Sequence, residues 1–275
     1  MKEYLISTII SLVAIIYFVY QSIGSNAKVV FIDVGQGDSM LFVNSNMQIL
    51  IDGGPDKRLI EKYHQYVPFY DREIELMILT HPHLDHYAGL VSFLDEYSIM
   101  RAIVPRVPCN SNELFEAFIS KLENHNVEIL HLDRFKIGDV EIEIMNNEAK
   151  SCIKENENIN NSSIVTRIKY LDISILNMGD LELDTQFEVE QSDILKAGHH
   201  CSNTSSSIEL IDIVDPKVAI CSLGENKYGH PSRNVLDRFS ENGINYFLTK
   251  DEGDIVLNLN RRLIYNQKGK LLLKL

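Results

Sequence analysis

Cysteine is sparse in this 275-residue chain, and the four present, Cys109, Cys152, Cys201 and Cys221, show no C-x-x-C spacing. That excludes a zinc ribbon and a thioredoxin-type motif, and a chain of this length does not require disulfides, so free thiols are the expectation. Basic charge is also short: 26 Lys and Arg face 39 Asp and Glu, for a net charge of −13. Such a chain is not a general polyanion binder, because neutralising phosphates takes clustered Lys and Arg. A bound metal pair would offset part of that charge locally. No repeat of fixed period runs through the sequence, no linker splits it, and no apolar run after Gly24 is long enough to cross a bilayer.

One long apolar run is present, at the amino terminus. Tyr4 to Ile23 carries no charge, and as a helix it would extend roughly 30 Å, the hydrocarbon thickness of a membrane. Tyr17 and Tyr20 would sit at the interface. The expectation is one N-terminal transmembrane helix, with residues 1–27 as anchor and 28–275 as a single hydrolase domain. The alternative is a signal sequence cleaved at the small-x-small segment Ser25-Asn26-Ala27, which would make the protein secreted. Either way the domain is expected outside the cytoplasm, membrane-anchored in the first case.

From Lys28 the pattern is α/β. Short apolar runs predict strands at Val29–Asp33, Gln48–Asp52, Glu75–Thr80, Met100–Pro105, Val127–Leu132, Val140–Met145, Ile164–Tyr170, Ile173–Met178, Asp193–Ala197, Lys217–Ser222, Asn245–Thr249 and Asp254–Leu259. Helices are predicted at Ala88–Glu96, Glu113–Asn124, Ser206–Ile213 and Asn234–Asn242. Asn146–Ser163, rich in Asn, Glu, Lys and Ser, is the expected mobile loop. The order suits two packed sheets flanked by helices.

The chemistry gathers at strand ends. The run Glu75–Leu79 empties into Thr80-His81-Pro82-His83-Leu84-Asp85-His86, four metal-ligand side chains within six positions. Imidazole mixed with carboxylate suits zinc, manganese or iron rather than calcium. Other strand ends carry Asp33-Val34-Gly35-Gln36-Gly37-Asp38, Asp52-Gly53-Gly54, Gly179-Asp180, Gly198-His199-His200-Cys201 and Tyr228-Gly229-His230-Pro231. Gln36 and Asp38 read equally as entrance-lining residues or as part of a capped tight turn.

With those motifs in hand, the chain resembles the metallo-β-lactamase superfamily over about Lys28 to Leu259. The branch it looks most like holds the hydrolase domain of the ComEC-type competence channel and its stand-alone relatives. The resemblance implies an αββα metallo-β-lactamase sandwich with metals at one edge between the sheets. It also implies a binuclear metal-dependent hydrolase with two divalent metals, zinc or manganese. Carried over, His81 and His83 hold the first metal, Asp85, His86 and His200 hold the second, and Asp180 bridges them. Asp52 hydrogen-bonds a ligand histidine and fixes its tautomer. Asn160 or Asn161 supplies an amide oxygen where many members have a further histidine, since His125 and His131 match no motif. Cys201 replaces a usual glycine and is expected to be a small packed residue. Catalytic roles fall to Asp85 as proton acceptor and to His199 and His230 as stabilisers of charge or leaving oxygen.

The expected substrate is a phosphodiester, DNA among the candidates, with the membrane contacted through the N-terminal helix and no protein partner. A cell-wall or lipid phosphodiester, such as a phosphorylcholine ester, suits the acidic charge better. A tethered binding module without catalysis is disfavoured by the full ligand set. β-Lactam hydrolysis does not follow from the scaffold.

Overall fold

The computed structural model describes residues 4, 8–16, 27–45, 47–106, 109, 113–146, 152–155, 157–182 and 188–275. Among them, nine strands form one sheet in the order Leu271–Lys274, Leu263–Asn266, Ile255–Asn258, Lys28–Phe31, Met40–Asn44, Met47–Ile51, Leu76–Ile78, Arg101–Ile103, Glu128–Ile129. Seven form a second sheet in the order Asn245–Leu248, Val218–Cys221, Ile194–Lys196, Ile173–Asn177, Val165–Tyr170, Val140–Met145, Arg134–Ile137.

Period-two alternation in these strands decides the layers, because successive side chains leave opposite faces. In the first sheet Val29, Phe31, Phe42, Ile49, Ile51 and Ile78 point inward and meet Ile142, Ile168, Ile175, Ile194 and Ile220 of the second. Their neighbours Val30, Leu41, Leu50 and Met77 face outward onto Leu59, Tyr63, Tyr87, Phe93, Phe115 and Phe118. Those six come from the helices Arg58–Tyr63, Leu84–Phe93 and Glu113–Asn124. On the other side Leu176, Leu195 and Ala219 pack against Ile211, Val214, Val235 and Phe239, carried by Ile208–Val214 and Arg233–Glu241. Three cores between four layers make the expected αββα sandwich.

Several expectations need correction. The proposed anchor over Tyr4–Ile23 lies largely outside the described residues; its described helical part is residues 8–16. Among the described residues no helix is long and apolar enough to cross a membrane. The transmembrane helix, the membrane contact and the extracytoplasmic placement that rested on them are therefore not supported. The thiols are not free either: Cys109 pairs with Cys152 and Cys201 with Cys221. Part of the expected mobile loop, residues 147–151 and 156, lies outside the described residues, but its far end is an ordered 3-10 turn at Ile159–Ser162. The Asn146 amide ties that turn down by donating to the carbonyls of Asn161 and Ser163 at 3.0 and 2.8 Å.

Candidate metal centre

Six polar side chains are delivered to one edge between the sheets by strand ends and the turns that follow them. Strand Met47–Ile51 ends at Asp52, a buried residue in the left-handed region at φ 59°. Its carboxylate accepts from the Thr80 amide at 2.8 Å, the Thr80 hydroxyl at 2.7 Å and His86 Nδ1 at 2.8 Å. Strand Leu76–Ile78 leads through Thr80 and His81 to His83, the residue before helix Leu84–Phe93. That helix sits close against the 53–56 turn: the Gly89 amide donates to the Gly54 carbonyl at 2.9 Å, and a Cβ at Gly89 would collide with the Gly53 carbonyl. Glycine is required there if Asp85 and His86 are to reach the sheet edge.

The opposite sheet supplies the rest. Strand Ile173–Asn177 turns at Gly179, φ 53°, into Asp180. Strand Ile194–Lys196 turns into His199, His200 and Cys201, three consecutive residues with positive φ of 47°, 52° and 59°. Non-glycine residues adopt that region at a cost, so the turn needs external support. It receives it from the Cys201–Cys221 disulfide and from the Ser222 carbonyl, which accepts from His200 Nδ1 at 2.8 Å.

Asp180 stands at the middle. Its Oδ2 lies 3.6 Å from His81 Nε2, 3.4 Å from His86 Nε2 and 3.4 Å from His200 Nε2. Asp85 Oδ2 approaches His200 Nε2 at 3.3 Å. The ligand atoms of His81, His83 and Asp180 fall within 4.8 Å of one another, and so do those of Asp85, His86 and His200. His81 Nε2, His86 Nε2, His200 Nε2 and Asp180 Oδ1 are buried and make no hydrogen bond. Orphaned polar atoms of this kind are costly in a protein interior unless a partner such as a cation satisfies them. A donor set of imidazole nitrogens and carboxylate oxygens fits divalent transition ions.

The protonation pattern divides the cluster. Burial holds His81 well below the usual imidazole range and lowers His83 as well. His86 and His200 go the other way. Burial opposes their charge, but Asp180 and Asp52 raise His86 well above the ordinary value, and Asp180 and Asp38 push His200 up to about 10. Asp180 and Asp85 stay below the carboxylate range despite burial: His200, His86 and His81 hold Asp180 down, and His200 and His86 hold Asp85 down. Burial pushes Asp52 up.

Residues 32–225 match the metallo-beta-lactamase superfamily. The chain belongs to that superfamily. Among curated relatives, ComE operon protein 3 of Bacillus subtilis (strain 168) is 28% identical over 289 residues, covering 91% of this chain but 35% of its own length. Recombination protein 2 of Haemophilus influenzae is 29% identical over 218 residues, covering 75% of this chain and 26% of its own. The chain thus spans about a third or less of these competence and recombination proteins, and what it matches is consistent with a ComEC-type hydrolase domain. Among solved structures, the metallo-beta-lactamase fold protein YhfI of Bacillus subtilis matches with a TM-score of 0.56 at 12% identity, covering 84% of this chain and all of that one. Zn(2+)-bound PqqB of Methylobacterium extorquens gives 0.55 at 14% identity, covering 84% and 100%. At those identities the likeness is one of metallo-beta-lactamase fold alone.

All six residues read as metal ligands from the sequence converge at this edge. Of the remaining candidates, His199 is partly exposed with Nε2 3.5 Å from Asn160 Nδ2, and the His230 ring lies 5.3 Å from it, centroid to centroid. Burial, with His199 and His200 nearby, lowers the His230 pKa. Asn160 keeps a buried Oδ1 with no hydrogen bond, whereas Asn161 Oδ1 accepts from the Glu182 amide. His125 and His131 are exposed surface residues. Cys201 is buried and packed, as expected, but through a disulfide. Of the two readings of Asp38, entrance lining or part of a tight turn, the first does not hold. Asp38 is not at the entrance but buried behind His200, paired with Lys196, a residue the motifs did not single out. The available signal was Lys196 itself, a charge inside the apolar strand Ile194-Leu195-Lys196-Ala197. Gln36 does line an open groove of ≈ 710 Å³ beside Asp85, together with Leu84, Glu225, Lys227 and Tyr228.

Proposed function

We propose that this metallo-beta-lactamase-fold hydrolase is a binuclear phosphodiesterase acting on DNA-like substrates. The observation that carries the reading is the pair of three-residue groups, His81, His83, Asp180 and Asp85, His86, His200, with Asp180 Oδ2 within 3.4–3.6 Å of three imidazoles. The first group would hold one divalent ion, the second another, and Asp180 would contribute to both. Zinc or manganese suits the donors. Bound there, such ions supply Lewis-acid chemistry, activating water and neutralising charge on a phosphoryl group.

The chain's own residues do the rest. Asp52 and the Ser222 carbonyl accept from the Nδ1 atoms of His86 and His200 and so present Nε2 inward as a lone pair. Asp85, only partly buried and kept ionised, takes the proton from the attacking water. His199 and His230, side by side on the open side of the cluster, donate to the phosphoryl or leaving oxygen. The competence relatives favour DNA as the substrate. A second reading, a small zwitterionic diester of the phosphorylcholine kind, is favoured by the groove beside Asp85, where Asp85 and Glu225 face one Lys227 and an exposed Tyr228. A quaternary ammonium binds an aromatic face next to acids.

The test is metal analysis of the purified chain with hydrolysis assays on single-stranded DNA, bis-p-nitrophenyl phosphate and p-nitrophenyl phosphorylcholine. About two ions per chain and chelator-sensitive cleavage of the first two substrates are expected. Folded protein that stays metal-free in zinc or manganese buffer would overturn the reading. Cleavage of only the choline ester would replace DNA with the second.

A further inference from the structure

Lys196 is 2% exposed and Asp38 4% exposed, an ion pair enclosed between the two sheets. Lys196 Nζ donates to Asp38 Oδ2 and, at 3.2 Å, to the carbonyl of Gly179, the residue before Asp180. The other carboxylate oxygen, Asp38 Oδ1, lies 3.2 Å from His200 Nδ1 and has no hydrogen-bond partner of its own. Asp38 is also fixed through its backbone, with its amide on the Asp85 carbonyl at 3.2 Å and its own carbonyl accepting from the Gly54 amide at 2.8 Å.

A buried ion pair is poor value as a stabiliser, since apolar residues of similar volume often do as well or better. Both charges here are aimed at turns that bear candidate ligands. Lys196 grips the turn of Asp180 with one hand and Asp38 with the other, and Asp38 backs the ring of His200. The arrangement repeats that of Asp52 behind His86. Each histidine of the Asp85, His86, His200 group therefore has its own carboxylate on the Nδ1 side.

Resting on the metal reading above, we propose that Asp38 and Lys196 are a positioning pair for that group. Lys196 orients Asp38, the Asp38 charge 3.2 Å from His200 Nδ1 favours a proton on that nitrogen, the Ser222 carbonyl accepts it, and Nε2 is left bare for the ion. The pair touches no substrate. Its larger effect is on affinity for the ion held by Asp85, His86 and His200, because Asp38 backs His200; the ion held by His81, His83 and Asp180 feels the pair only through the Lys196 contact to the Gly179 carbonyl.

The test uses the full chain titrated with cobalt(II) against a competing chelator, following the visible absorption of the bound ion, with thermal melting of the same samples. Lys196→Met alone strands a buried carboxylate and should lower the melting temperature. Asp38→Asn with Lys196→Met removes both charges, so the melting temperature should recover while affinity for the second cobalt falls about 10–100-fold and that for the first falls less. If the double variant does not fold, Asp38→Asn alone, which keeps the shape and an oxygen for Lys196, should show the same selective fall. A variant that folds and takes up both ions as tightly as the wild type would make the pair merely structural and overturn the proposal. Wild-type protein that binds fewer than two cobalt ions would remove the metal reading itself, and this proposal with it.

Discussion

Asp52 supports a ligand and the fold at once, and two substitutions separate those roles. Its side chain is buried and accepts three hydrogen bonds, from the Thr80 amide, the Thr80 hydroxyl and His86 Nδ1, all at 2.7–2.8 Å. Asp52→Ala leaves three buried donors unpaired, at about 1–3 kcal/mol each, so roughly 3–9 kcal/mol of stability is at stake. The left-handed backbone at φ 59°, which Asp and Asn tolerate better than Ala, adds about 1 kcal/mol. Against a total of roughly 5–15 kcal/mol, that variant should be marginal or unfolded. Asp52→Asn keeps the shape, the backbone preference and one acceptor. Whichever way its amide lies, an N–H now faces a donor. The relief open to His86 is to move its proton to Nε2, the atom 3.4 Å from Asp180 Oδ2, and a protonated nitrogen cannot ligate. The Asn variant should therefore melt within a few degrees of wild type yet bind its second ion about 10–100-fold more weakly, about 1.4–2.8 kcal/mol. Denaturant titration of metal-free protein and chelator competition of loaded protein measure the two effects. An Asn variant that binds metal like the wild type would refute the tautomer argument.

Asp180→Ala should reduce the bound metal to one ion per chain or none and abolish hydrolysis, while His125→Ala, an exposed control, leaves both unchanged; the same metal content in both variants would remove Asp180 from the centre. His199→Ala should retain both ions and lower kcat about 10²–10⁴-fold, the range of a lost proton donor; equal metal loss in His199→Ala and His200→Ala would show that His199 is a ligand instead. In metal-free protein His200 titrates near 10, above its unfolded value of 6.5, so its contribution to stability is complete below about pH 6.5 and is lost as pH rises through 10. Melting temperatures of the chelated protein should fall over that window and those of the loaded protein should not; a flat profile for both would count against the charged His200–Asp180 contact.

The convergence of the candidate cluster was legible because apolar strands running straight into His81, Asp180 and His200 leave little else for those residues to do. The hydrophobic pattern likewise marked twelve strands of the sandwich to within a few residues. Met40–Asn44, apolar and buried in the middle of the first sheet, was passed over with no such excuse, whereas the other missed strands of the two sheets have physical reasons for being quiet. Arg134–Ile137 is a sheet edge whose alternation is half exposed and carries Arg and Lys, the usual protection of an open edge. Leu263–Asn266 and Leu271–Lys274 form a hairpin on the other flank, with exposure along both. Helix Arg58–Tyr63 has six residues, too few for a 3.6-residue period to register. The disulfides join residues 43 and 20 positions apart, and only the folded register brings those pairs together. The amino-terminal run was read from apolar length alone, and among the described residues no helix is long and apolar enough to cross a membrane.

Asp38 shows the deeper limit. Nothing around Asp33–Ser39 says whether the second carboxylate of that turn faces solvent or the interior, because the answer lies with Lys196, more than 150 positions away. Once both are in place the charge balance of the centre becomes intelligible. Asp38, Asp52, Asp85 and Asp180 would repel one another in a low-dielectric interior, and in the metal-free chain their charge is met by Lys196 and by the raised imidazoles of His86 and His200. On the proposed metal reading those imidazoles would give up protons before Nε2 could bind an ion, so the protons would act as place-holders for the metals. Lys196 cannot be displaced in that exchange, because it sits behind the ligands rather than among them. On the proposed reading its charge would offset Asp38 with or without an ion, so that Asp38, although within ligand distance of His86 and Asp180, would orient His200.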